Sequence, residues 1–225
     1  MKKYITTEYH KMQFRNLFFP KISSIYADHR SDRELFQFGF SIFLYSYLLY
    51  FLLYLGVFFI GYDHFSNLNA VMAKEFATKG HSAFSLFLNR YPWNAIYLFA
   101  SLMMVVIFLS FLSYLIASIL ETEKRTIRAH IGICLHSNAN IMIFLMFIFI
   151  ANTFFPTTGN FSIVMFGGLM SIWILGFLFA NILSTYIFVK ASNSFFHQPK
   201  RRAIVTWLLS IWFVVYTIFG IISGS

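Results

Sequence analysis

Two histidines, His130 and His136, are the residues of this sequence best suited to metal binding or catalysis. They flank the only cysteine, Cys134, in an apolar segment. Imidazole and thiol groups bind metal ions when they converge on one point. The histidines are six residues apart, so on a helix they point about a third of a turn away from each other. Gly-rich phosphate loops, His-Glu-x-x-His pairs and Ser nucleophile elbows are absent from the sequence. We therefore predict a protein that is not an enzyme, with no catalytic residue, metal or cofactor.

Uncharged polar residues inside the apolar segments form a second candidate site, which comprises His136, Asn140, Asn181 and Ser184. His136 and Asn140 are four residues apart and share one helix face. If their segments cross a membrane, His136 lies about 10 Å and Asn181 about 13 Å from the same surface, at 1.5 Å per residue. We expect these residues to lie near one another. Two interpretations stay open: the side chains hold helices together, at about 0.6–2 kcal/mol each, or they line a pocket for a lipid headgroup or small solute.

Small residues in the same region predict close helix packing. Gly176, Ala180 and Ser184 recur every four residues, which places them on one ridge of a helix. Gly167 and Ser171 extend a neighbouring face. The ridge could pack within one subunit or between two copies of the chain, and the sequence does not separate these cases.

The composition determines which elements carry these residues. The chain is 59% hydrophobic and 11% charged, whereas soluble domains are about one quarter charged. Four stretches lack Asp, Glu, Lys and Arg, and the longest, 129–189, is divided by the polar turn 152–160. Since a membrane span needs about 20 apolar residues, we predict an all-α polytopic membrane protein. Its five transmembrane helices are expected at about 36–61, 94–119, 130–151, 161–189 and 203–222.

The positions of the basic residues predict the orientation of this bundle. With five spans, 14 of the 17 Lys and Arg residues fall on one side, and the three in the loop 62–93 fall on the other. The positive-inside rule then places the N-terminus in the cytoplasm and the C-terminus outside. We expect a multi-pass protein of the bacterial cytoplasmic (inner) membrane. The net charge of +9 is interpreted as membrane anchoring and not as a sign of nucleic-acid binding.

The first 35 residues are predicted to form a cytoplasmic lead-in, followed by a transmembrane domain over 36–225. Phe14, Leu17 and Phe18 recur at helical spacing, as do Ile22 and Ile25, and basic residues flank both groups. Such a pattern is typical of an amphipathic helix in the membrane interface. A helix that docks on a partner would have the same pattern.

The loop 62–93 carries two further apolar stripes at helical spacing. We expect the stripes to lie on the outer leaflet, and a lid over a substrate site is the alternative. Their residues are Leu68, Val71, Met72 and Phe76 in the first stripe and Phe84, Phe87, Leu88 and Tyr91 in the second.

A Pro-containing lead-in, five predicted spans and one longer loop after the first span form a recognisable layout. Its most characteristic segments are Phe18-Phe19-Pro20-Lys21, Glu123-Lys124-Arg125, Ala129-His130-Ile131-Gly132, His136-Ser137-Asn138-Ala139-Asn140 and the run from Tyr186 to Ser194. In these features the chain resembles the Yip family of Ypt-interacting membrane proteins along nearly its whole length. The Asp-Leu-Tyr-Gly-Pro box of eukaryotic members is missing, so the chain is more similar to the bacterial five-span members. The resemblance implies a non-enzymatic protein that organises membranes or works with partners.

Together these observations predict a non-enzymatic membrane protein. Its expected role is in membrane organisation, trafficking or homeostasis, or as a membrane subunit of a larger complex. The alternative is a permease for lipids or small solutes that uses the polar residues near the cytoplasmic side. The expected partners are membrane lipids and either another protein or further copies of the chain, and no nucleic acid.

Overall fold

Residues 7–18, 31–120, 125–154 and 163–223 are described by the structure, which is a computed structural model. Within these ranges the regular elements are α-helices. They are α1 (Thr7–Phe18), α2 (Asp32–Ile60), α3 (Tyr62–Thr78), α4 (Ala83–Asn89), α5 (Asn94–Leu120), α6 (Ile127–Asn138), α7 (Ile141–Phe154), α8 (Ile163–Phe196) and α9 (Lys200–Ser223).

Four segments of the described chain are long and apolar enough to cross a membrane. They are α2, α5, the stretch Ile127–Phe147 that combines α6 with part of α7, and Met170–Phe196 of α8. The prediction of an all-helical, multi-pass architecture is confirmed to this extent. α2 begins four residues before the predicted span because the Ser31 hydroxyl accepts a hydrogen bond from the Glu34 amide and caps the helix.

The third predicted span, 130–151, is broken. α6 ends at Asn138, a turn over Ala139 and Asn140 follows, and α7 begins at Ile141. Just before the turn, the side chains of Ser137 and Asn138 donate hydrogen bonds to the carbonyl oxygens of Ile133 and Cys134, at 2.8 Å each. Such local bonds compete with helix continuation.

α6 is the central element, because it packs against α2, α5 and α8. Its closest approach is to α2, where Gly132 faces Gly39. A Cβ atom added to Gly39 would overlap the carbonyl oxygen of Gly132 and lie 2.7 Å from its carbonyl carbon. A Cβ atom added to Gly132 would lie 2.7 Å from the carbonyl oxygen of Leu35. The two backbones therefore touch, and neither position has room for a side chain.

The connection between α8 and α9 is short and closely bonded. His197 has a positive φ of 53°, which ends α8. The Asn193 side chain donates to the Gln198 carbonyl oxygen at 2.8 Å, and the Gln198 amide donates to the Ser192 carbonyl oxygen at 3.3 Å. The Gln198 side chain donates to the Thr206 hydroxyl at 3.3 Å. These bonds fix the start of α9 against the end of α8.

The loop 62–93 folds into α3 and α4, which pack at one end of the bundle. The Asn69 side chain exchanges two hydrogen bonds of 3.0 Å with the backbone of Tyr91. Phe65 is buried, with its ring 4.8 Å from that of Tyr91, and burial raises the pKa of the Tyr91 phenol. The expected stripes are partly outward-facing, since Val71, Phe84 and Phe87 are exposed.

α1 docks on the bundle through a face that includes Leu17 of the predicted apolar stripe but not Phe14. Gln13, Asn16 and Leu17 are buried, whereas Met12 and Phe14 are exposed. Leu17 lies in a core cluster with residues of α2 and α6, including Ile42, Phe43 and Leu135. Among the described side chains, the docked face therefore combines one leucine with two polar residues. The expected contributions of the Phe18 side chain, Pro20, Ile22 and Ile25 lie outside the described residues.

Candidate functional site: buried polar groups of the bundle

His130 is the centre of a chain of hydrogen bonds between α6 and α5. The residue is fully buried. Its Nδ1 atom lies 3.1 Å from a guanidinium nitrogen of Arg125, and its Nε2 atom lies 2.7 Å from the Ser113 hydroxyl. Because a guanidinium only donates, Nδ1 accepts, and Nε2 carries the hydrogen and donates to Ser113. Ser113 donates in turn to the Ser110 carbonyl oxygen at 3.0 Å.

The direction of these bonds decides what the Ser113–His130 pair can do. A histidine that activates a serine must accept the hydroxyl proton, whereas His130 donates to Ser113. Both side chains are completely buried. The pair is therefore arranged to join α5 to α6, and it is not arranged as a nucleophile with its base.

Arg125 joins this network to the end of α8. Its guanidinium lies 4.2 Å from the centre of the Phe196 ring, which is a cation–π contact. The side chain is only 7% exposed, so the cation is held inside the protein by an imidazole and an aromatic ring. Sequence analysis missed this role, because it used Arg125 as a charge that orients the chain and as part of the segment Glu123-Lys124-Arg125. Phe196 is close to Arg125 in space but about 70 positions away in the sequence. No local sequence pattern therefore indicates the contact.

His136 holds the lead-in helix. Its side chain is fully buried, and Nε2 donates to the backbone carbonyl oxygen of Asn16 at 3.1 Å. The Phe38 ring meets the imidazole edge-on, with 5.3 Å between ring centres. His136 therefore connects α1, α2 and α6, which is a contact over 120 positions of sequence.

Asn140 occupies the turn between α6 and α7 and contacts α8. It is fully buried, and its amide nitrogen donates to the Ala180 carbonyl oxygen at 3.3 Å. Its side-chain oxygen has no hydrogen-bond partner among the described residues, nor does the buried hydroxyl of Ser184. Two side-chain oxygens, one on the turn between α6 and α7 and one on α8, thus lie buried without a hydrogen-bond partner among the described residues.

Asn181 lies on the other side of α8. Its amide nitrogen donates to the Phe177 carbonyl oxygen of its own helix at 2.8 Å, and its side chain lines an open groove between α8 and α9. The structure therefore brings Asn140 to the backbone next to Asn181, but it does not bring the Asn181 side chain into the buried group.

The predicted ridge of small residues faces inward over part of its length. Ala180 and Ser184 are buried. A Cβ atom added to Gly176 would lie 4.0 Å from the Phe144 ring of α7. The ridge thus packs α8 against α7 within one chain. Gly167 and Gly168, on the preceding turns of α8, have no described atom within 4 Å of an added Cβ.

Comparison with family models, curated proteins and solved structures finds no match to this chain. Within the described ranges, no three His, Cys, Asp or Glu side chains converge in a way that could hold a metal ion. The chemistry of the site therefore has to be inferred from its geometry. That geometry consists of hydrogen bonds between helices, several buried polar atoms that lack a partner among the described residues, and a groove on the bundle surface.

Proposed function

We propose that this chain is a non-enzymatic, five-span membrane protein that serves as a subunit of a larger membrane assembly or organises the membrane around it. The observation that carries the proposal is how the bundle uses its polar groups. His130, His136 and Asn140 each join two or more helices. The most reactive side chains are thereby used in assembling the bundle, and catalysis at them would require the bundle to open.

α9 is the fifth span in this proposal. Its 24 residues begin with a basic triplet and continue with an apolar run. The helix packs on α5 and α8, and Ala203 and Trp207 are fully buried while Val214 is nearly so. α5 and the apolar part of α8 are each long and apolar enough to cross a membrane. Because α9 packs against both, it can lie at the same depth in the bilayer. Five spans, with the basic segments in the cytoplasm, correspond to the distribution of Lys and Arg and to an inner-membrane location.

The outer half of α8 supports association with another chain. Six consecutive residues, 170–175, are exposed, so this part of the helix is uncovered on all its sides by the described chain. Gly167 and Ser171 share a side of the helix, and small residues four apart allow helix backbones to approach closely. The resemblance to the Yip family points in the same direction, because it implies a protein that works with partners.

Replacing Gly167 by Leu is expected to abolish this association, because the larger side chain prevents close approach of a second helix. The protein is purified in mild detergent. The molar mass of the protein in the protein–detergent complex is measured, and any copurifying chain is identified. We expect the wild type to be an oligomer or to carry a stoichiometric partner, and the variant to be a monomer.

Gly56→Leu is the matched control, since Gly56 is also an exposed helical glycine with no described atom within 4 Å of an added Cβ. It should leave the association unchanged. A wild type that is monomeric and has no protein partner would contradict the subunit proposal.

A permease is the second candidate, and one observation favours it. Broken helices with buried polar groups near mid-membrane are typical of transporter binding sites. The third span has a turn at Ala139 and Asn140, and the side-chain oxygen of Asn140 and the hydroxyl of Ser184 are buried without a hydrogen-bond partner among the described residues. A small solute that copurifies with the wild type, and is lost in Asn140→Leu while the protein still inserts and folds, would favour this function.

A further inference from the structure

A long groove runs along the surface of the bundle between α8 and α9. Two adjoining cavities of about 420 and 320 Å³ make up the groove, and Ile182 and Thr185 line both of them. Phe177 and Ile211 mark one end of the groove, and Lys190 and Lys200 mark the other. Phe177, Ile182 and Leu208 are exposed there, so the groove is open to the surroundings of the bundle.

The groove presents mainly apolar groups, although the polar residues Asn181 and Thr185 line it, because both of these side chains donate hydrogen bonds within α8. The Asn181 amide nitrogen donates to the Phe177 carbonyl oxygen at 2.8 Å, and the Thr185 hydroxyl donates to the Asn181 carbonyl oxygen at 2.7 Å. Both donors are therefore satisfied within α8. The wall that remains consists of aliphatic and aromatic side chains, which suits a hydrocarbon chain.

The lysine end of the groove is strongly basic. Lys190 lies at the end of α8 and Lys200 at the start of α9, and both line the same cavity. None of the described residues that line the groove is acidic. Arg202 is used elsewhere, because its guanidinium lies 3.4 Å from the Leu120 carbonyl oxygen. Lys190 and Lys200 are thus placed to bind an anionic group at the groove end.

The length of the groove matches one leaflet. Lys190 and Phe177 are 13 positions apart in the sequence, which corresponds to about 20 Å along a helix. One leaflet, headgroup region included, measures about 20–22 Å. A headgroup at the lysines and an acyl chain that reaches Phe177 would therefore span one leaflet.

We propose that this groove is a binding site for one anionic phospholipid. The phosphate lies between Lys190 and Lys200, and one acyl chain lies along Ile182 towards Phe177. Basic pockets between helices on the cytoplasmic side are typical sites for anionic headgroups. The inference requires the membrane location of the chain, but not the partner proposed above.

The test uses the full chain in nanodiscs that contain equal amounts of phosphatidylcholine and phosphatidylglycerol. After transfer to detergent, the retained lipid is identified by native mass spectrometry. We expect one phosphatidylglycerol per chain in the wild type. In Lys190→Gln/Lys200→Gln, the ratio of phosphatidylglycerol to phosphatidylcholine should fall about tenfold or more, since each lysine contributes on the order of a fivefold preference.

Two further variants separate a specific site from general attraction. Lys74→Gln/Lys79→Gln removes the same charge from the α3 end of the bundle and should leave the ratio unchanged. Ile182→Trp fills the groove at an exposed position and should reduce retention of the lipid although both lysines remain. Equal ratios in the two double variants would overturn the proposal. Loss of an oligomer in Ile182→Trp, with lipid retention unaltered, would also overturn it, because a second copy would then cover the groove.

Discussion

Replacing Gly39 by Ala is expected to force α2 away from α6 and to destabilise the protein by about 3 kcal/mol, the upper end of the usual cost of overpacking. The new methyl group would overlap the carbonyl oxygen of Gly132. Clashes with flexible side chains can be relieved by rotation, but this one involves the backbone of a central helix. Since α6 also packs on α5 and α8, a shift of α6 would disturb most of the bundle. Thermal unfolding in detergent, followed by intrinsic fluorescence, measures the effect.

Gly56→Ala is the control for helix propensity, because Gly56 lies on the same helix and has no described atom within 4 Å of an added Cβ. Alanine stabilises an open helical position by about 0.5–1 kcal/mol relative to glycine, so this variant should unfold at the same or a higher temperature. If Gly39→Ala and Gly56→Ala unfolded at the same temperature, the close contact between α2 and α6 would be contradicted.

Replacing Trp207 by Ala is expected to lower the free energy of unfolding by about 3–5 kcal/mol. Trp207 is completely buried, and its ring stacks on that of Phe188 with 4.3 Å between centres. Truncation would leave a cavity between α9 and α8, in the largest core cluster of the described chain. Unfolding in a denaturant series measures the loss.

Trp212→Ala on the same helix is the matched control, because Trp212 is 59% exposed. It removes the same group from the surface and should cost less than about 1 kcal/mol. Equal losses in the two variants would mean that α9 does not pack in the way described.

The helical architecture could be predicted because uncharged apolar stretches of about 20 residues or more are typical of membrane-spanning helices. The stretch 91–120 contains no charged residue and becomes α5 with bounds within one residue of the expected span. In the third span, the polar run from His136 to Asn140 was visible in the sequence, but its consequence was not. Whether such a run stays helical depends on bonds such as those of Ser137 and Asn138 to the preceding turn.

The candidate site could be predicted only in part, because sequence gives depth in a span more readily than direction around it. Asn140 contacts α8, as we expected for a member of the polar group. Asn181 donates to a carbonyl oxygen of its own helix and therefore needs no partner from another helix. The contact between Gly39 and Gly132 joins two helices far apart in the sequence. No local pattern reveals which glycines face each other.

The direct test of the account is the topology of the chain. A reporter that is active only in the cytoplasm is fused, in separate constructions, after Lys79, Arg125 and Arg202 and at Ser225. Five spans with a cytoplasmic N-terminus predict activity after Arg125 and Arg202 and none after Lys79 or at Ser225. Activity at Ser225 would mean that α9 does not cross the membrane, and it would contradict the five-span bundle.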